Sequence, residues 1–358
     1  MLRRLDYLIG VPMVCLFSIG FKPRKFPTRV NVIGLIQPTA IGDIVLASNL
    51  ITGLHHKYPE AKIILFCGKS NYEVASLICA PVQAVLCNFK NPFKAVRVIN
   101  SFNTDLLIDL VSWSRTTALV ACLSNSKYSI GFNGYKQHRS SLFDKQVKHL
   151  LNRHERDNFY EIAKTLNVSL DFQPGINLVD AHDIFSEFPL SRCIVFHLAA
   201  GGSMAKFKCW PNERWAELGR VLCSRGYSIL LTGVNGDRSK LNEVIATIGY
   251  PAQCVNMAGK LSIKELALLL SKVKLVISID TGILHLASWV NAPVLGLHGP
   301  TSSLRWGVLN PNGRSINSPH FASGYINFGF ERSGAENLIM ESISVEMVLN
   351  QAEVMLEK

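Results

Sequence analysis

From Val30 onward, short apolar runs of strand length alternate with longer segments whose apolar residues recur at helical spacing, and glycine with Asp or Thr marks the turns between them. Parallel strands need a crossover long enough to return to the same sheet edge, so this alternation restricts the fold to α/β with doubly wound parallel sheets. Residues 275–301, LVISIDTGILHLASWVNAPVLGLHGPT, are its clearest instance. The strand 275–279 breaks at Asp280-Thr281-Gly282, a helix follows with Ile283, Leu284, Leu286, Ala287 and Val290 on one side, and a second strand, 294–297, opens onto Gly299-Pro300-Thr301. A helix N-terminus after a glycine turn offers unpaired N–H groups and the positive end of a dipole, so an anion suits that position. The plainer alternative is that Asp280 caps the helix and His285 is a core residue.

The first half reads in the same way. A strand at 30–36 runs into Gln37-Pro38-Thr39-Ala40-Ile41-Gly42-Asp43, and a helix at 44–58 is closed by Pro59. Strands are expected at 61–66, near 84–86, at 106–110 and near 128–131, with helices after Ser70, Pro92 and Ser114 and around 156–166. Asp43 stands where a helix cap is wanted, and a carboxylate there can also accept a proton. Residues 171–192 lack periodicity and carry Pro174, Gly175 and Pro189, which places a linker there.

A second series begins at 193–199 and ends in Ala200-Gly201-Gly202-Ser203; Lys206, Lys208 and Trp210 follow, then a helix at 212–225. The strand 228–231 leads to a turn with Gly233 and Asp237, and residues 255–259 bring Met257 to a further strand end. Several strand ends bearing Gly, Thr, Asp or Lys therefore converge on one rim, as a nucleotide site requires. The chain has no P-loop, no G-x-G-x-x-G after the first strand of either half and no G-x-S-x-G elbow, which excludes the simplest NTPase, dehydrogenase and hydrolase readings.

The formal net charge is +11, and residues 1–29 supply +5 of it through Arg3, Arg4, Lys22, Arg24, Lys25 and Arg29 against Asp6. No basic stripe interleaved with aromatics appears, so no nucleic-acid partner is expected. Between those cations lies an almost uncharged stretch, residues 7–21; fifteen helical residues span about 22 Å, short of a roughly 30 Å hydrocarbon core. Cationic flanks on both sides suit a segment that lies in one leaflet, kinked near Pro12, with anionic inner-membrane lipids as partners; a docked helix is the alternative. Nine cysteines without a C-x-x-C pair indicate reduced thiols in the cytoplasm and no metal framework.

Four blocks together resemble glycosyltransferase family 9, the heptosyltransferases: Ala40-Ile41-Gly42-Asp43 with Pro59; Lys208-Cys209-Trp210-Pro211 with Trp215; Asn256-Met257-Ala258-Gly259-Lys260; and Asp280-Thr281-Gly282 with His285 and Gly299-Pro300-Thr301. The resemblance covers about residues 30–311. It implies a GT-B fold of two facing Rossmann-like domains, at 30–175 (acceptor) and 190–325 (donor). A C-terminal helix within 340–358 is expected to pack back toward the first domain, and residues 1–29, which lie outside the resemblance, are expected to form a membrane-associating segment. It further implies inverting transfer of a sugar from a nucleotide-sugar, usually ADP-heptose, to a lipid-linked saccharide such as the lipopolysaccharide core, with no cofactor and no metal, at the inner face of the cytoplasmic membrane. Asp43 is then the base beside acceptor-side Gly42, and Lys208 contacts the donor phosphate or sugar. Asp280, Thr281, Gly282 and His285 hold the donor, with Ala200, Gly201, Gly233, Asp237, Met257, Gly299 and Thr301 on the same rim. Residues 327–332 lack the cysteines of many relatives, which removes the case for a metal or cluster in that tail, and the loop 199–207 lacks the paired threonines of the best-known ones, which leaves the donor's sugar and base open. A sugar-nucleotide epimerase of similar fold and a non-catalytic nucleotide-sugar or glycolipid binder remain alternatives.

Overall fold

The computed structural model describes residues 6–134, 136–170, 175–178, 185, 188–202, 204–329 and 331–357. Arg3, Arg4, Ser203, Phe330 and most of the expected linker between 171 and 187 lie outside them. The chain forms two compact units, Met1–Asn177 and Leu178–Lys358, divided within the stretch expected to link them.

In the first unit, β1 (Val32–Gln37), β2 (Lys62–Cys67), β3 (Val82–Leu86), β4 (Leu106–Asp109), β5 (Tyr128–Asn133) and β6 (Lys145–Lys148) make one parallel sheet in the order β3-β2-β1-β4-β5-β6. The central strands are apolar on both faces because helices cover both. Strand β6 was not expected: its sequence, KQVK, has one apolar residue, which suffices at an edge. The segment after Ser70 makes only the short 3-10 turn Glu73–Leu77, where a helix was expected.

The N-terminal helix Gly10–Gly20 is docked on this unit through Val14, with Met13 and Phe17 against the core formed by Ala95, Ile99, Ala118 and Leu119. Asp6 anchors its start, pairing with Arg115 at 3.0 Å and accepting a hydrogen bond from Thr116 Oγ1 at 3.2 Å. The helix is interrupted at Ile9, near the expected kink, because Pro12 has no N–H to donate to the carbonyl of Leu8. Among the described residues no helix is long and apolar enough to cross a membrane.

The second unit repeats the plan with β7 (Cys193–His197), β8 (Ser228–Thr232), β9 (Cys254–Asn256), β10 (Leu275–Ile279), β11 (Val294–His298) and β12 (Gly313–Asn317), ordered β12-β11-β10-β7-β8-β9 and parallel throughout. Trp210 and Trp215 meet edge to face at 5.1 Å over Phe196, and Trp210 Nε1 donates to the carbonyl of Ile343 at 2.8 Å. The final helix, Val345–Leu356, was expected to return toward the first domain. It buries Val348, Ala352, Met355 and Leu356 in the core of the second unit.

Candidate active site

The order of the second sheet decides where a ligand can lie. From β7 the chain winds outward through β8 and β9, then returns to β10 on the other side of β7, so the loops leaving β7 and β10 diverge at their carboxyl ends and open a crevice. One wall is the loop at 199–202, where a Cβ added at Gly201 or Gly202 would meet nothing within 4 Å. The other wall is Asp280-Thr281-Gly282.

Lys208 closes the short helix Ala205–Lys208 and bridges the two walls. Its Nζ lies 3.2 Å from Asp280 Oδ2 and donates to the Asp280 carbonyl at 3.4 Å. His285 Nε2 stands 3.6 Å from Asp280 Oδ1, an electrostatic contact longer than a hydrogen bond. Burial of Asp280 opposes its ionisation, but Lys208 first, then His285 and His298, outweigh that and hold its carboxyl well below the usual carboxylate range. Asp280 does not cap the following helix, Gly282–Trp289; Thr281 does, its Oγ1 accepting from the Ile283 N–H at 3.3 Å. The crevice thus holds a buried anion, a half-buried cation and a helix N-terminus.

The first unit presents a second strand-to-helix turn after β1. Its helix is Ile41–Lys57 and begins three residues earlier than expected, so Asp43 is the third helical residue and not the cap. The cap position is Ala40, at φ 58 and ψ 126, in a region that a side chain rarely adopts. Buried Asn71 pins this turn, donating through Nδ2 to the carbonyls of Gln37 at 2.9 Å and Thr39 at 3.0 Å. Asp43 is partly exposed, with Gly42 buried behind it.

The profile of glycosyltransferase family 9 (heptosyltransferase) matches residues 93–324. The chain belongs to glycosyltransferase family 9. Lipopolysaccharide heptosyltransferase 3 of Escherichia coli (strain K12) is 25% identical over 283 residues, covering 74% of this chain and 81% of the relative. Among solved structures, E. coli ADP-heptose lps heptosyltransferase II superposes with a TM-score of 0.72 at 21% identity, covering 91% of this chain and 98% of the other. E. coli heptosyltransferase WaaC with ADP-2-deoxy-2-fluoro heptose superposes at 0.68 and 18% identity, covering 90% and 99%. These likenesses show the GT-B fold that the sequence implied.

In this family-9 glycosyltransferase the remaining expected donor residues line the same edge in two groups. Gly233 and Asp237 form one tight turn: Asp237 Oδ2 accepts from the Val234 N–H at 2.9 Å, and a Cβ on Gly233 would lie 2.8 Å from that oxygen. Met257 follows β9, its N–H bonded to the Leu231 carbonyl at 2.8 Å, and Ala200 sits half-buried at the start of the open loop. On the far side, Thr301 is buried and its Oγ1 has no hydrogen-bond partner among the described residues, so it can donate to a ligand oxygen. Gly299 has a packing reason of its own, since a Cβ there would meet Met340 Sδ at 2.3 Å.

Several contributors escaped the sequence reading. His197 and His298 close β7 and β11, the strands flanking β10, and their terminal positions were the available signal. Burial pushes the His197 imidazole down to about 4, and its Nδ1 meets Thr232 Oγ1 at 3.0 Å. Trp306 packs edge-on to His285 at 6.3 Å, with the guanidinium of buried Arg305 over the Trp306 ring at 5.0 Å, and Arg305 donates to the Asn327 carbonyl at 2.7 Å. This chain of contacts across tens of residues left no local pattern. Among the described residues no group of three His, Cys, Asp or Glu side chains is arranged to hold a metal ion.

Proposed function

We propose that this enzyme transfers a heptose, or a closely related sugar, from a nucleotide-sugar to a lipid-linked saccharide of the lipopolysaccharide-core type, with inversion at the anomeric carbon. ADP-heptose is the donor we favour. The observation that carries the reading is the Lys208–Asp280–His285 cluster beside a helix N-terminus at the sheet's switch point, in a chain of family 9. The relatives named above bear heptosyltransferase names, and one solved relative holds an ADP-heptose analogue.

In this proposal the acceptor hydroxyl attacks the anomeric carbon as the bond to the diphosphate breaks. Asp43 takes the hydroxyl proton. Lys208 and the N–H groups at the start of Gly282–Trp289 meet the charge that develops on the departing diphosphate, with Thr301 as a further donor and no metal invoked. Asp280 is itself anionic and repels phosphate, so its part is to orient Lys208 and accept from sugar hydroxyls. His285, Ala200, Gly201, Gly233, Asp237, Met257 and Gly299 shape the rest of the donor rim. The enzyme works at the inner face of the cytoplasmic membrane, held there peripherally through residues 1–29, and uses no nucleic acid.

The test is product analysis by mass spectrometry after incubating the enzyme with a lipid-linked core acceptor and ADP-heptose, or with GDP- or UDP-sugars in its place. Glycosylated acceptor with ADP-heptose is expected, and Asp43→Asn should lose about 10²- to 10⁴-fold in turnover while keeping donor affinity. Conversion of the donor to an epimer without acceptor product, or unaltered turnover by the Asp43 variant, refutes the reading.

A further inference from the structure

One side of the first unit carries a surface that holds none of the proposed site residues. The helices Gly10–Gly20, Pro92–Asn100 and Arg115–Leu123 share one core, through Val14, Ala95, Ile99, Ala118 and Leu119, and Arg115–Leu123 touches both of the others. Arg115–Leu123 has no exposed residue, but the other two helices and the turn before the first leave large apolar side chains in water. Leu8 is 69% exposed, Leu16 66%, Ile19 85% and Phe93 79%. A soluble monomer seldom leaves side chains of this size together in water without something to cover them.

The charge on the same surface has one sign. Segments 7–29, 88–103 and 113–127 contain no Asp or Glu, whereas Lys22, Lys25, Arg29, Lys90, Lys94 and Arg97 are exposed on them. The acid that opens the segment, Asp6, is already bound to Arg115. A second copy of the chain would set these cations against each other. A sheet of anionic lipid satisfies both features, since headgroup phosphates meet the cations and the acyl boundary receives the apolar tips. The geometry also suits a helix lying flat: Gly10–Gly20 has 11 residues, about 16 Å, and is held down along its inner face by Val14.

We infer that the face presented by the helices Gly10–Gly20 and Pro92–Asn100, both seated on Arg115–Leu123, is a docking surface for an anionic phospholipid bilayer, with Leu16, Ile19 and Phe93 entering the headgroup boundary and Lys22, Lys25, Lys94 and Arg97 contacting lipid phosphates. This deepens the proposed attachment through residues 1–29 by adding the helix Pro92–Asn100, and it rests on the proposed transfer to a lipid-linked acceptor only for its purpose.

The test is sedimentation of the full-length enzyme with acceptor-free vesicles of phosphatidylcholine alone or with phosphatidylglycerol added. Binding is expected only with the anionic lipid and is weakened by salt. Each cation near the surface is worth about fivefold, so Lys22→Ala with Lys25→Ala should lower partition about 25-fold. Leu16→Glu with Ile19→Glu, and separately Phe93→Glu, should each lower it at least about tenfold, and thermal melts matching the parent show that these exposed changes leave the fold intact. Transfer to a delipidated, water-soluble acceptor should be unaltered in all three variants, while transfer to vesicle-borne acceptor falls. Equal binding to neutral and anionic vesicles, unchanged partition of the variants, or self-association abolished by Leu16→Glu with Ile19→Glu in the absence of vesicle binding overturns the inference. Vesicle binding without any sugar transfer would refute the proposed function and leave the docking surface standing.

Discussion

Replacing Lys208 by Met removes the cation that Asp280 depends on. At 3.2 Å, and with an effective dielectric constant of roughly 20, the pair's gross attraction is about 5 kcal/mol. Burial of the carboxylate offsets much of that. Breaking a buried pair costs about 3–5 kcal/mol; Lys208 keeps 24% of its side chain in solvent, so about 2 kcal/mol is expected for Lys208→Met. Asp280→Asn leaves a partly solvated lysine and should cost about 1 kcal/mol by the same reasoning. The double variant should then be more stable than the sum of the two, with a coupling of about 1–2 kcal/mol, yet remain inactive because neither charge is present to serve the donor. Urea unfolding of the four proteins gives the coupling, and titration calorimetry with ADP gives donor affinity. The pH dependence is a second readout. Asp280 titrates below its unfolded value, so its contribution is complete above about pH 4 and is lost as pH falls through the lower folded value. Without Lys208 the upward push of burial loses its main opponent, and that acid slope should flatten or reverse. Strict additivity, or restored transfer in the double variant, refutes the argument.

His197 gives a pH dependence at higher pH. Its folded value near 4 lies below the ordinary 6.5 because the ring is buried, with Asp237 and the bonds to Thr232 and Ala199 partly opposing the shift. The unfolded chain therefore takes up a proton that the folded one refuses, and stability should fall by about 3 kcal/mol between pH 6.5 and 4; His197→Gln should lose that slope, as urea midpoints across the range would show. Gly259 is at φ 70, and a Cβ there would lie 2.9 Å from Asn235 Cα. Gly259→Ala should cost about 2–4 kcal/mol and weaken donor binding through the turn of Gly233 and Asp237, whereas Gly236→Ala, with open space around it, should cost under about 1 kcal/mol.

Legibility followed the range of the interactions concerned. The strands at 275–279 and 294–298 were plain because a doubly covered strand must be apolar along its length. The edge strands Lys145–Lys148 and Gly313–Asn317 were not, since their stability comes from pairing with a neighbour and their own residues say little. Ser114 caps the helix that follows it, as expected, but two other candidate caps do not. Asp43 and Asp280 each look like a cap, yet the caps are Ala40, in a conformation no sequence rule assigns to alanine, and Thr281. The core that receives the final helix's apolar face was not legible for a related reason. The helix's apolar side chains Val348, Ala352 and Met355 specify burial, but only the path of the chain through Ile343 and Trp210 specifies against what.

The two turns contrast in a way that bears on their roles. The turn that presents Asp43 stores strain at Ala40 and is pinned from outside by Asn71, and Asp43 stays partly exposed. The turn that presents Asp280 is relaxed, with Thr281 in extended backbone, and its carboxylate is buried and fixed by charge. A proton acceptor needs access to a hydroxyl, and partly exposed Asp43 has it. A residue that holds a lysine for a diphosphate must stay ionised at every working pH, which the second provides. The proposed division, with proton acceptance at Asp43 and charge-holding at Asp280, rests on this contrast in exposure and pairing.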